Sequence, residues 1–278
     1  MTASSSGLGP RLPLVRGTGR PLLIGVVHLS PLPGAPRYAG SMPGILERAA
    51  HDARALSEGG ADAVVVENFG DVPFFAERVR AETVAAMTLA VRVVQDSAQE
   101  LPVGVNVLRN DARAALGICA ATGAGFIRVN VHTGAAVTDQ GLISSRAAET
   151  LRERGRIAPH VQILADVHVK HSSPLGSTSL VQAARDCSER GLADGLIVTG
   201  DATGQPPEIG VLRTVRDAVA VPVLIGSGLE TDGAPPLFGH FDGAIVGTSL
   251  KRGGAVEELV DRARVRGLRE LFEASGPA

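Results

Sequence analysis

The segment DVHVKHSSP, Asp166 to Pro174, places Asp166, His168 and Lys170 at every second position. A two-residue period puts those side chains on one face of an extended strand and leaves Val167 and Val169 on the other. A carboxylate beside an imidazole can serve two kinds of chemistry. Glycosyl-type transfer needs a carboxylate to orient the nucleophile and a proton donor for the leaving group. Isomerisation needs a base that takes a proton from carbon and an acid or cation that stabilises the enolate. Asp166 fits the base in either scheme and His168 the acid. Lys170 could form an imine with a carbonyl substrate if its amine were neutral, or hold a phosphate or carboxylate if charged.

The same alternation marks other strand ends. His28 closes IGVVHL, Glu67 closes DAVVVEN, and Asn106 alternates with valines in VGVNVL. FIRVNVH sets Arg128 and Asn130, followed by His132, against Ile127, Val129 and Val131; Thr199 and Asp201 follow LIV. Any one of these could be a hydrogen-bonded core residue. Burying all of them without solvent, ligand or function would be costly, so together they point to one polar mouth. Glu67 is a second candidate base and His28 a further titratable group, while Asn106, Arg128, Asn130 and Asp201 are candidate ligand contacts. His28, Glu67, Asp166 and His168 also carry donor types suited to a divalent metal. HVKH does not define a zinc site, because residues three apart on a strand face opposite sides. A hydrogen-bonded network without metal is the default expectation, and no organic cofactor is expected.

Two further stretches, IGSGLE and VGTSLKRGG, follow strand-like runs. Gly226, Ser227 and Gly228 in the first, and Gly247, Thr248 and Ser249 in the second, allow close backbone approach. Backbone donors of this kind can cradle a phosphate. The plain alternative is a pair of tight turns. No GxGxxG follows the first strand and no GxxxxGK[ST] occurs, which argues against nicotinamide and P-loop sites.

The elements that must position these residues are legible. Four strands begin just after Pro21, Pro102, Pro159 and Pro222; four more begin after small or acidic lead-ins and end near Asn68, Asn130, Gly200 and Ser249. Helical patterns lie between them, at SMPGILERAAHDARALSEGG and near residues 73 to 98, 111 to 122, 143 to 154, 178 to 190, 208 to 219 and 254 to 273, with a short one at 230 to 239. Eight strands with parallel crossovers favour a closed (β/α)8 TIM barrel, in which strand C-termini carry the chemistry and the last two loops commonly bind phosphate.

The chain has 278 residues, 44% hydrophobic, with no compositional break, which suits a single α/β domain over residues 20–278 after an N-terminal extension, 1–19, expected to be flexible. Lys and Arg number 27 against 29 Asp and Glu, and there are seven Phe, one Tyr and no Trp; no nucleic-acid surface is expected. Cys119 and Cys187 lack paired-motif spacing and read as reduced thiols of a cytoplasmic protein. No run of 18 apolar residues suggests a membrane span. Peripheral membrane association and a homo-oligomer stay open.

Taken together, GVVHLSPLPGAP, GADAVVVENFGDVPF, NVLRND, FIRVNVHTGA, DVHVKHSSPLG and VTGDATG resemble the BtpA/SgcQ family, over most of the chain from Leu22 to Lys251. The resemblance implies a (β/α)8 barrel of the phosphate-binding type. Cyanobacterial members of the family are associated with biogenesis or stabilisation of photosystem I, and relatives elsewhere are described as nucleosidases or sugar-related enzymes. His28, Glu67, Asn106, Asn130, Asp166, His168 and Lys170 stand in matching segments. The expectation is an enzyme acting on a phosphorylated sugar or nucleoside-like metabolite, with glycosidic-bond hydrolysis ahead of sugar-phosphate isomerisation. The alternative is a non-catalytic assembly or stabilisation factor.

Overall fold

The computed structural model describes residues 8–17, 19–168, 172–176, 179–200 and 205–275. Eight parallel strands close a barrel: β1 (Leu22–His28), β2 (Ala63–Glu67), β3 (Val103–Asn106), β4 (Phe126–Val129), β7 (Gln162–Val167), β9 (Gly195–Val198), β10 (Val223–Ile225) and β11 (Gly243–Val246). All eight coincide with the strands expected from sequence, and the fold is a TIM barrel. Around it lie α1 (Met42–Gly59), α2 (Ala81–Ser97), α3 (Ala112–Thr122), α4 (Ala147–Ile157), α5 (Leu180–Arg185), α6 (Ile209–Ala218) and α7 (Arg262–Ala274). A single 3-10 turn, Pro235–Leu237, stands where the helix between β10 and β11 would be. Among the described residues no helix is long and apolar enough to cross a membrane.

Strand alternation divides the core in two. Leu23, Val27, Val64, Val66, Ile127, Ile163, Val167 and Val198 pack outward with the helices. Ile24, Val26, Ala63, Val65, Phe126, Leu164, Ile197, Leu224 and Ile245 form a separate cluster that fills the barrel. Small residues make room where this filling is tightest: a Cβ on Gly104 would lie 2.2 Å from the Phe126 ring. One strand step above the apolar filling come His28, Glu67, Asn106, Arg128, Asp166, Thr199, Gly226 and Gly247. The barrel's own period therefore delivers the polar residues to its C-terminal mouth.

Three elements depart from the sequence expectation. A three-stranded antiparallel sheet, β5 (Ala135–Thr138), β6 (Gly141–Ser144) and β8 (Ser172–Pro174), is inserted beside the mouth. Helix α2 starts at Ala81 rather than near 73, because the preceding segment is held extended, with Val79 N–H donating to Asp111 at 2.9 Å. Helix α7 starts at Arg262 rather than 254. Residues 250–261 are instead lashed to α1 by a buried pair, Lys251 Nζ to Asp52 Oδ2 at 3.7 Å, and by Val260 N–H to Asp52 at 2.9 Å. Burial lowers the Lys251 pKa, against the pull of Asp52. Asp261 then caps α7 by accepting from Ala263 N–H.

Within the segment expected as a flexible extension, 1–19, residues 8–17 are described and lie against the barrel. Leu12 is 2% exposed and belongs to the apolar filling of the barrel. Gly9 N–H donates to Gly123 O at 2.9 Å, Gly17 N–H to Asp242 at 2.9 Å, and Arg16 to the Val219 and Arg216 carbonyls. The physical reason is that the N-terminal end of a barrel leaves its lowest apolar layer open, and this segment stoppers it. Replacing a buried leucine by alanine costs about 2–5 kcal/mol. Leu12→Ala should lower unfolding stability in urea by about that amount, whereas a loosely attached extension would show no change.

Candidate functional site

The strand C-termini and the loops beyond them enclose a cavity of about 600 Å3. Of the residues expected from sequence, it brings together His28, Glu67, Arg128, Asn130, Gly226, Ser227, Gly228, Gly247, Thr248 and Ser249. Asn106 stands just behind, its amide nitrogen donating to Glu67 Oε1 at 2.5 Å. Lys170 and Asp201 lie outside the described residues.

Asp166 sits between two donors. Arg128 reaches it through both Nε and Nη2, each at 2.9 Å, and Asn130 Nδ2 adds a third bond at 3.0 Å. The Asp166 side chain is wholly buried and that of Arg128 nearly so. Burial alone would lower the Arg128 pKa, but the Asp166 charge more than offsets it and raises it above the ordinary arginine value. With three bonds from fixed donors, Asp166 is a structural counter-ion more than a free base.

Glu67 is differently placed. His28 Nε2 lies 3.5 Å from its Oε2, so an imidazole and a carboxylate share the cavity wall at adjacent strand ends. The His28 ring packs on Phe69, 4.6 Å between centroids. On its other side, a Cβ on Gly247 would come within 2.6 Å of the ring, so only glycine lets β11 end beside it. His28 Nδ1 is buried without a partner among the described residues.

His168 does not continue the strand. Its φ of 52° lies in the left-handed region, and its exposed side chain follows a chain that has already turned away from the β7 alternation at Val167. Partial desolvation lowers its pKa. His132 is drawn out of the mouth altogether: its buried ring holds Gly191 O through Nε2 at 2.7 Å.

The two small-residue loops meet across the cavity rim. Ser249 Oγ donates to Leu229 O at 2.8 Å and so joins the loop after β11 to the loop after β10. Gly228, with φ 78°, backs onto Gln205, whose carbonyl would be 2.1 Å from any Cβ there. The Ser227 hydroxyl is buried and has no partner among the described residues.

Sequence reasoning missed several cavity residues, among them Arg109, Phe74, Asp139, Gln140 and Glu230. Arg109 follows β3 in a turn, where strand period predicts no direction; burial lowers its pKa, with Asp166, Asp139 and Glu67 acting against that. Phe74 lies in the loop after β2. Asp139 and Gln140 form the tip of the β5–β6 hairpin, with Thr138 paired to Gly141. Their signal was present as AAVT-DQ-GLIS, two short runs around a two-residue turn closed by Gly141 at φ 94°.

The four candidate metal donors do not converge. Among the described residues no group of three His, Cys, Asp or Glu side chains could hold an ion. Only His28 and Glu67 meet, while the Asp166 oxygens are taken by Arg128 and Asn130.

The sequence profile of the BtpA family matches residues 19–274. The chain is 50% identical over 244 residues to the photosystem I biogenesis protein BtpA of Synechocystis, covering 87% of this chain and 85% of that protein. It is 47% identical over 251 residues to an uncharacterised protein of Thermococcus kodakarensis, covering 90% and 94%. Among solved structures, thiamine phosphate pyrophosphorylase from Pyrococcus furiosus superposes with a TM-score of 0.57 at 16% identity, over 92% of this chain and 96% of that one. That likeness shows the fold alone.

The ion pair at the mouth yields a direct test. Removing one partner of a buried pair costs about 3–5 kcal/mol because a charge is stranded, whereas replacing both with apolar groups is often near neutral. Arg128→Met should therefore destabilise the protein strongly in urea unfolding, and Arg128→Met with Asp166→Leu should recover most of the loss.

Proposed function

The chain belongs to the BtpA family, and from that premise we propose that its barrel mouth binds a phosphorylated sugar or nucleoside-like metabolite and acts on it by acid–base chemistry. One observation carries the reading. A single cavity of about 600 Å3 contains both the small-residue loops after β10 and β11 and the His28–Glu67 pair. Pockets of this size suit a small metabolite, and the last loops of a TIM barrel are a common phosphate seat.

In this proposal the Ser227 hydroxyl and backbone N–H groups near Gly228 and Thr248 take the phosphate. Glu67 takes the carboxylate role, because Asp166 is committed to Arg128 and Asn130. For glycosidic-bond hydrolysis, Glu67 orients the attacking water, accepts its proton as the new bond to the anomeric carbon forms, and stabilises positive charge developing there. His28 gives a proton to the departing group as its bond to that carbon breaks. For sugar-phosphate isomerisation the same Glu67 would take a proton from carbon and His28 would protonate the neighbouring oxygen. His168 and Lys170 stay candidates for contacts made from the segment after β7. The two buried free thiols, Cys119 and Cys187, fit work in the cytoplasm.

A second reading is favoured by a specific observation. The 50% identity to the photosystem I biogenesis protein supports an assembly or stabilisation role more directly than it supports turnover. The two readings part at Glu67. In a metabolite-consumption screen on purified protein, Glu67→Gln should reduce turnover of the responding phosphorylated compound by roughly 10²–10⁴-fold without loss of folding. An assembly factor would consume nothing and keep its partner association in the Glu67→Gln variant.

A further inference from the structure

We infer that the segment after β2 carries a stacking platform, Phe69 with Phe74, for a flat heteroaromatic ring, so that the ligand is a sugar phosphate joined to such a ring, as in a nucleoside monophosphate. The inference rests on the phosphate seat proposed above and names what lies at the ligand's other end.

The few aromatic rings of the chain are unevenly placed. Of seven Phe, Phe126 fills the barrel, and Phe238, Phe241 and Phe272 pack on one another with centroids 5.9 to 6.0 Å apart. The other three stand together in residues 69–75, and two of them, Phe69 and Phe74, line the cavity. Phe75 is instead covered by Arg80, whose guanidinium carbon lies 5.7 Å from the ring centroid. Phe69 is 39% exposed and meets the His28 ring at 4.6 Å between centroids, tilted by 47°. Val72 and Leu108 add further apolar surface to the cavity. Aromatic surface left open inside a pocket is what a ligand's ring covers, and a π-face accepts any flat base.

The platform is held still. Phe69 begins a 3-10 turn, Phe69–Asp71, that is tied to its neighbours on several sides. Asn68 Oδ1 accepts from Leu108 N–H at 2.7 Å, Asp71 Oδ1 accepts from Leu32 N–H at 2.8 Å, and Gly70 N–H donates to Leu29 O at 3.0 Å. A Cβ on Gly70 would lie 2.5 Å from Pro31 N, so this turn and the loop after β1 meet backbone to backbone. Its place in the barrel matters as much. Strands β10, β11, β1 and β2 are successive neighbours in the closed circuit. Round the mouth in that order come the small-residue loops, the His28 ring and Phe69, with Gly247 and Phe69 both against the imidazole. A ligand with its phosphate between β10 and β11 therefore crosses the His28–Glu67 pair and ends over Phe69 and Phe74. A bare sugar phosphate would leave that wall open.

Titration calorimetry on the full chain tests this with ribose 5-phosphate, with the 5-prime monophosphates of adenosine, guanosine, cytidine and uridine, and with adenosine itself. The tightest of the nucleotides should bind roughly 5- to 150-fold more tightly than ribose 5-phosphate, the range that stacking of a base on an aromatic side chain supplies. Phe69→Leu and Phe74→Leu keep the wall apolar but remove a π-face. They should erase several-fold of that preference and leave ribose 5-phosphate unchanged, which also shows that the variants fold. Equal affinity for nucleotide and ribose 5-phosphate, a preference that both variants keep, or equal weakening of both ligands would overturn the inference while the phosphate seat stands. If no phosphate compound binds, the seat itself has failed. Adenosine then decides the platform separately: binding weakened by Phe69→Leu upholds it, and no binding or no weakening rejects it.

Discussion

Closure of the barrel is the constraint from which the rest follows. Once eight parallel strands form a ring, every second side chain points inside, and the interior has no room for choice about which. The lower inward layers are apolar, filled by Ile24, Val65, Phe126, Leu164, Ile197, Leu224 and Ile245, and stoppered by Leu12. The layer above carries His28, Glu67, Arg128 and Asp166, and so holds charge. That charge must be compensated in place. The Arg128–Asp166 pair, bonded twice and joined by Asn130, meets this requirement at β4 and β7. Its consequence reaches the cavity wall: Asp166 is held by three donors, while the Glu67–His28 pair stands on the other flank.

The same closure explains how the walls of the mouth differ. Where β10 and β11 end, glycines let backbone approach, and Gly247 makes space for the His28 ring itself. Where β2, β3 and β4 end, amides pair with carboxylates. The mouth is therefore polarised across its diameter, small and backbone-rich on one side and acceptor-rich on the other. The inserted sheet of β5, β6 and β8 extends the acceptor side outward and brings Asp139 and Gln140 over the cavity.

Much of this was legible because barrel strands are short, β-branched and introduced by proline, and because a period of two is unambiguous while a strand lasts. It fixed the inward positions of His28, Glu67, Arg128 and Asp166 in advance. Legibility stopped where the chain left the strands. The period of two places His168 one inward step beyond Asp166, but its left-handed backbone breaks the alternation one residue after Val167. Arg109 sits in a turn, where no period exists to orient it. Leu12 gives no signal of its own because the polar, small and proline residues around it carry no period; only the open end of the barrel gives it a place. The β5–β6 hairpin did leave a signal, two short runs around Asp139-Gln140, but it falls in the stretch between the strand expected to end near Asn130 and the helix expected from 143.

Binding and assembly need not be rival uses of one mouth. A barrel that senses a metabolite can report its occupancy only through elements that change when the ligand arrives, and the β5–β6 hairpin reaches from the cavity to the surface. Gln140 at its tip lines the cavity, while Val137 and Leu142, paired across the same two strands, are 48% and 54% exposed. A ligand that touched Gln140 would hold the register in which that apolar pair is presented, because one strand alternation sets both faces of the hairpin.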